Sequence, residues 1–187
     1  MYIIIIYFLC ISIACAGSSP GTFDSEGRLP NYEYSLKATQ KGGIVIGAHN
    51  TNYSVIISYP SIAEEDISSK VIIAKPQITA LSPRVGLGLV GITADCVYIK
   101  NKMFEEISNS QYIFGSPPIG KRLVTNIAAR IHRQTLETHL RPFGVKLCIA
   151  CVDEQTGHPQ VFEVDGLGST HACQITCLGR LLHFLYI

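Results

Sequence analysis

The order of short apolar runs along this chain restricts its fold more than any other feature of the sequence. Four runs of four to eight residues, rich in β-branched side chains, come early: Ile44–Ala48, Ser54–Tyr59, Lys70–Ala74 and Val85–Gly91. Their length and composition predict strands. Asn50-Thr51-Asn52 between the first two predicts a hairpin turn, and Ser61–Ser69 is a polar connection. The period then changes. Cys96, Ile99, Met103 and Ile107 recur at three- and four-residue spacing with Glu105 and Glu106 on the other face, and Leu123, Ile127 and Ile131 repeat the pattern with Arg122, Arg130 and Arg133 outward. These are two amphipathic helices, separated by Pro117-Pro118. Strand-like runs return at Val145–Asp153 and Gln160–Asp165, joined by the loop Glu154–Pro159, and a last apolar stretch covers Ala172–Leu178. Strands, two consecutive helices and strands again predict a layered α+β domain, with the helix pair on one face of largely antiparallel sheet.

Ahead of this pattern, residues 18–28 read as loop. Glu33–Lys41 reads as a short helix, with Pro30 at its start and Gly42-Gly43 at its end. Residues 1–17 stand apart, being apolar except for Ser12 and Gly17 and carrying no charge. The run is short for a membrane span, which takes about 20 apolar residues. Ala14-Cys15-Ala16 before Gly17 fits a signal-peptide cleavage pattern, but no Lys or Arg precedes the apolar run. A leader and a gene-model artefact both remain open. The division expected is therefore an atypical hydrophobic segment at 1–17 and one domain over 18–187.

Composition narrows the function classes. With 47% hydrophobic residues the chain can bury a core, which excludes a disordered protein. A net charge of +1, from 15 basic and 14 acidic residues, argues against a dedicated nucleic-acid binder. Five cysteines follow residue 17: Cys96, Cys148, Cys151, Cys173 and Cys177. An odd number in a chain of this size is not a disulfide framework and points to a reducing compartment. Cys148 and Cys151 lie three apart on a predicted strand and so face opposite ways. Cys173 and Cys177, four apart, would share a face if they lay on one strand. Buried thiol packing accounts for them as well as a metal does, and no metal or other cofactor is expected. Gly86-x-Gly88-x-x-Gly91 has dinucleotide-fingerprint spacing, but no βαβ unit with a following acidic residue supports it. Its glycines are expected to allow close packing at a strand–helix junction.

Thr22-Phe23-x-x-x-Gly27-Arg28-Leu29-x-x-x-Glu33-Tyr34-x-x-x-Ala38-x-x-x-Gly42 resembles the N-terminal signature of 20S proteasome alpha-type subunits. Gly91-x-x-Ala94-Asp95, Arg141-Pro142-Phe143-Gly144 and Asp165-x-x-Gly168 follow at the family's spacing, so the resemblance covers about residues 22–180. Asn101-x-Met103-x-x-Glu106 and Tyr112-Ile113-Phe114-x-x-Pro117 are most similar to the family's type-1 members. The sequence departs from the family at Asp24-Ser25, where Ser-Pro is usual, at Asn31, where Gln is usual, and upstream of Thr22, where a Tyr-led segment is absent.

The resemblance implies a four-layer αββα sandwich of the N-terminal-nucleophile hydrolase type, with the family's C-terminal strands and helices missing beyond Ile187. It implies a subunit of the seven-membered outer alpha ring, in cytoplasm and nucleus, supporting ubiquitin-dependent protein degradation. The partners implied are other alpha-type subunits, beta-type subunits and regulatory ATPases or activators, with no nucleic acid and no membrane. By similarity to the catalytic beta-type relatives, the nucleophile position falls at Gly43, the orienting acid at Tyr59 and the lysine at Lys70. Such chemistry needs a Thr, Ser or Cys whose own free α-amine is the base, so the resemblance implies no catalytic residue here. It places Lys70, with Gly27, Leu29 and Gly91, in an inter-subunit pocket that takes the C-terminal carboxylate of a regulator. Arg141 is expected to fix its loop by hydrogen bonds to carbonyls or a carboxylate, and Arg28 to hold the N-terminal segment. Residues 1–21 do not resemble a gating tail. Two alternatives stand beside this reading, an active N-terminal-nucleophile hydrolase and a secreted, repurposed paralogue.

Overall fold

The computed structural model describes residues 23–40, 42–59, 77–116, 118, 120–137, 140–153 and 156–180. The segment at 1–17 and the strand expected at Lys70–Ala74, Lys70 included, lie outside the described residues. The elements in chain order are α1 (Pro30–Gln40), β1 (Ile44–His49), β2 (Ser54–Tyr59), β3 (Ile78–Ser82), β4 (Val85–Gly91), α2 (Thr93–Phe114), α3 (Gly120–Leu136), β5 (Val145–Val152), β6 (Pro159–Val164), β7 (Thr170–Ala172) and β8 (Ile175–Gly179).

The strands form two antiparallel sheets, a small one in the order β2-β1-β8 and a large one in the order β3-β4-β5-β6-β7. The β1–β2 turn is shaped as expected. Asn50 Oδ1 accepts the backbone N–H groups of Asn52 at 2.8 Å and Tyr53 at 2.7 Å, an Asx turn that closes the hairpin.

Two cores separate three layers. Ile99 and Met103 from α2 and Leu123, Val124, Ile127 and Ile131 from α3 are buried against Leu87, Leu89, Leu147 and Ile149 of the large sheet. On the other side of that sheet, Val90, Cys148, Ala150 and Val161 pack against Val45, Ile56 and Leu178 of the small sheet. Cys148 and Cys151 thus face opposite cores, as their spacing requires. The αββα class holds, with three of its four layers among the described residues. The far face of the small sheet, where the fourth layer is expected, presents Ile46, Val55, Ile57, Tyr59 and Ile175 to solvent.

The sequence reading needs three corrections. The helix begins at Pro30, three residues before Glu33, because proline suits the first helical turn, where its missing N–H costs nothing. β3 was not expected. Its five residues include Thr79 and Ser82 and run straight into the turn at Pro83, so they carry little apolar signal. The stretch Ala172–Leu178 is not one strand. The chain leaves the large sheet after β7 and enters the small sheet at β8, crossing at Cys173-Gln174. Cys173 and Cys177 therefore share neither a strand nor a face.

Gly91 shows why glycine is needed where β4 meets α2. Its φ is +134°, and a Cβ there would collide with the Gly144 carbonyl oxygen. The strand end and the loop before β5 touch backbone to backbone, which is the close packing expected of this glycine run.

Candidate functional site

Gly43 is buried immediately before β1, where the Ile44 backbone pairs with Tyr59 on one side and Gly179 on the other. The Gln77 side chain lies across this point. Its amide nitrogen donates to the Tyr59 carbonyl at 3.2 Å, and its oxygen accepts the Gly43 N–H at 3.1 Å. A Cβ at Gly43 would collide with the Gln77 amide and lie 2.5 Å from the Tyr59 carbonyl oxygen. The Gln77 backbone carbonyl meanwhile accepts the Leu89 N–H at 2.9 Å, so one residue ties both sheets together here. Gln77 was not singled out from the sequence, because its partners come from three strands remote in the chain.

The thiols nearest to the cores are poor nucleophiles. Burial, followed by the charge of Glu163, pushes the Cys148 thiol up to about 12. Burial pushes Cys151 and Cys96 up to about 11, with smaller contributions from Asp153 and Asp95 respectively. The thiolate is the reactive form, so all three are inert at neutral pH. Among the described residues, no group of three His, Cys, Asp or Glu side chains could hold a metal ion.

Of the residues expected to line a regulator pocket between subunits, Gly27, Leu29 and Gly91 are among the described residues. Gly27 sits in an exposed turn at φ +77°, in which Asp24 Oδ1 accepts the N–H groups of Glu26 at 2.9 Å and Arg28 at 2.8 Å. Among the described residues, Arg28 pairs only locally, with Glu26 at 3.3 Å. Leu29 lines a cavity of about 610 Å³ with Phe23, Tyr32, His132, Leu136 and Leu167, between the start of α1, the end of α3 and the turn after β6. His132 Nδ1 lies 3.2 Å from the Leu167 carbonyl in that wall. Burial, and then the charge of Asp165, raises the Tyr32 phenol above its ordinary 10.0. Neither Gly27 nor Gly91 lines the cavity.

Arg141 does what was expected of it. Its guanidinium donates to both oxygens of the buried Asp95, at 2.8 and 2.7 Å, and to the Pro142 carbonyl at 3.1 Å. Asp95 also accepts the Gly144 N–H at 2.9 Å and lies in the first turn of α2, where a carboxylate favours the helix dipole. A second polar group joins the sheets. Glu163 on β6 is 3.1 Å from Lys146 Nζ and accepts the Thr176 hydroxyl from β8 at 2.5 Å.

The family model described as "Proteasome subunit" matches residues 39–186, which include every strand and both long helices. The chain belongs to the proteasome subunit family. Its curated relatives in that family are of the alpha type. Proteasome subunit alpha type-1 of Dictyostelium discoideum is 30% identical over 137 residues, covering 73% of this chain and 53% of that protein. Alpha type-2 of Caenorhabditis elegans is 29% identical over 164 residues, covering 88% and 68%. Alpha type-3 of Drosophila melanogaster is 29% identical over 154 residues, covering 81% and 58%. The chain thus spans about half the length of the alpha type-1 relative, and types 1, 2 and 3 match at nearly equal identity. Alpha membership follows from these matches, whereas the individual type does not. Among the described residues of this proteasome-family chain, no helix is long and apolar enough to cross a membrane.

Proposed function

We propose that this chain is a non-catalytic structural subunit of the alpha ring of a 20S proteasome core, helping to enclose the proteolytic chamber and to dock regulators in ubiquitin-dependent degradation. The observation that carries the reading is the surroundings of Gly43, the residue that the resemblance assigns to the nucleophile position. Gly43 supplies no hydroxyl or thiol, its nitrogen is a peptide N–H bonded to Gln77, and the space a nucleophilic side chain needs is filled by Gln77 and the Tyr59 carbonyl. N-terminal-nucleophile chemistry requires a free amine and an unobstructed side chain at the same residue. The alpha-type names of the relatives support the same assignment.

In this reading the partners are other alpha-type subunits, beta-type subunits and regulatory ATPases or activators, and the location is cytoplasm and nucleus. Lys70 takes the terminal carboxylate of a regulator in a pocket between neighbouring subunits, which Gly27, Leu29 and Gly91 also line. The cavity beside Leu29 supports an apolar contact at that residue. The motifs around Asn101 and Tyr112 favour the type-1 position in the ring.

Affinity purification of the tagged full chain tests the assignment. Recovery of stoichiometric alpha-type and beta-type subunits, with no label on this chain from a threonine-directed covalent inhibitor, is the expected result. A labelled chain, or a chain recovered as a stable monomer, overturns it.

A further inference from the structure

Phe23, Tyr32 and His132 give aromatic walls to the cavity of about 610 Å³ beside the start of α1, and Leu29, Leu136 and Leu167 give aliphatic ones. The elements that meet there are held in place by contacts of their own. Asp165 Oδ1 accepts the N–H groups of Leu167 and Ser169, each at 2.9 Å, which closes the turn after β6. That turn lies directly on α3, since a Cβ at Gly168 would collide with the Ala128 carbonyl oxygen. On the third side, the buried Ser35 hydroxyl of α1 donates to the Phe143 carbonyl at 2.6 Å and ties the helix to the loop before β5. A preformed, mostly apolar recess of this volume is the usual form of a site for an organic molecule.

Two polar groups in the wall have hydrogen-bonding capacity to spare. The Tyr32 hydroxyl makes no hydrogen bond among the described residues. Burial, and then the charge of Asp165, raises this phenol above its ordinary 10.0, so it keeps its proton at neutral pH and remains a donor. In His132, Nδ1 lies 3.2 Å from the Leu167 carbonyl oxygen, which can only accept. The neutral ring therefore carries its proton on Nδ1 and leaves Nε2 as an acceptor. Among the described residues Nε2 has no partner. One donor and one acceptor call for a ligand with a hydroxyl group, which both gives and takes a hydrogen bond. No Asp, Glu, Lys or Arg side chain lines the cavity. An ionised ligand would lose its water there without gaining a counter-charge, which disfavours phosphates, nucleotides and carboxylates.

We infer that this cavity is a binding site for a neutral, hydroxylated, polycyclic aromatic small molecule, its rings packed among the aromatic and leucine side chains and its hydroxyl hydrogen-bonded by Tyr32 and His132. The inference goes beyond the ring assignment and does not depend on it. Co-purification tests the assignment, and small-molecule binding to the full chain tests the cavity.

Fluorescence titration of the full chain with three probes, 1-hydroxypyrene, pyrene and 1-pyrenecarboxylate, tests it. The hydroxylated probe is expected to bind more tightly than pyrene, and the carboxylate more weakly than either. Tyr32→Phe removes only the phenol oxygen and should weaken 1-hydroxypyrene by about threefold to tenfold while leaving pyrene unchanged. Leu167→Trp fills the recess and should abolish binding of both. Val55→Thr with Ile57→Thr alters the exposed face of the small sheet, a second apolar surface open to a dye, and should change nothing. Circular dichroism confirms that each variant is folded, and Tyr32→Phe decides the matter alone if Leu167→Trp is not. Absence of 1-hydroxypyrene binding overturns the inference, as does binding that persists in folded Leu167→Trp or is lost in the sheet-face variant. Carboxylate binding as tight as that of 1-hydroxypyrene, or an equal response of pyrene and 1-hydroxypyrene to Tyr32→Phe, overturns the ligand class.

Discussion

Arg141 holds Asp95 through two guanidinium nitrogens, 2.8 and 2.7 Å from the two carboxylate oxygens, and so joins the start of α2 to the loop that precedes β5. The two residues are unequally placed, because the Asp95 side chain is 8% exposed and that of Arg141 is 57% exposed. Losing Asp95 strands a buried Gly144 N–H as well as the arginine. Asp95→Ala is therefore expected to cost about 2–4 kcal/mol. Arg141→Ala should cost less, about 1–2 kcal/mol, since solvent already screens the guanidinium and can partly hydrate the carboxylate it leaves. Urea unfolding of both single variants and the double variant checks this. A double variant no worse than Asp95→Ala alone confirms that the two act as one unit.

The space around Gly43 gives a second prediction. Gly43→Thr forces a side chain into the Gln77 amide and the Tyr59 carbonyl, and should destabilise by about 1–3 kcal/mol, the usual cost of overpacking. Gln77→Ala removes one of the two obstacles but also the hydrogen bonds to Gly43 and Tyr59. The two substitutions should therefore be non-additive, the double variant being more stable than the sum of the singles predicts. Neither should gain peptidase activity, because the residue at position 43 remains within the chain and has no free amine. Thermal unfolding and a fluorogenic-peptide assay read the two parts separately.

The thiols predict a dependence on pH. Burial raises Cys148 to about 12, and Cys151 and Cys96 to about 11, from an ordinary 9.0. Groups raised in the folded state bind more protons there than in the unfolded chain once pH passes 9. Their contribution to stability is thus complete below about pH 9 and is lost as pH rises from 9 towards 12. Stability measured from pH 8 to 11 should fall, with the alkaline slope reduced in Cys148→Ala. At pH 8 the three thiols should resist iodoacetamide in the folded protein and react after denaturation, which peptide mass spectrometry resolves.

How much of this could be read from the sequence depended on the range of the interaction. The helices α2 and α3 were legible because Ile99, Met103, Leu123, Ile127 and Ile131 repeat at helical spacing and proline separates the two runs. The role of Arg141 was foreseen, but its partner was not, since Asp95 is 46 positions away. β3 was missed because five residues with two hydroxyl side chains carry too little apolar signal. The β7–β8 crossing was missed because nothing local at Cys173-Gln174 marks a change of sheet. Gln77 was missed for the same physical reason as Asp95, since the hydrogen bonds that make it important exist only once separate strands meet.

The exposed face of the small sheet supports a final prediction about association. Val55, Ile57, Tyr59 and Ile175 are 51%, 57%, 63% and 72% exposed, and strand register brings Ile57 beside Ile46 and Ala48 between Val55 and Ile175. An apolar sheet face of this kind, with β2 and β8 as the edge strands among the described residues, favours self-association. The side chains opposite it, Val45, Ile56 and Leu178, form the inner core and are untouched by changes on the outer face. Val55→Thr with Ile57→Thr keeps the β-branched shape that strands prefer while adding hydroxyls. Unfolding free energy should change by no more than about 0.5 kcal/mol per site. Light scattering of the isolated chain should fall at equal concentration. A large loss of stability instead would mean that these residues are already packed against part of this chain.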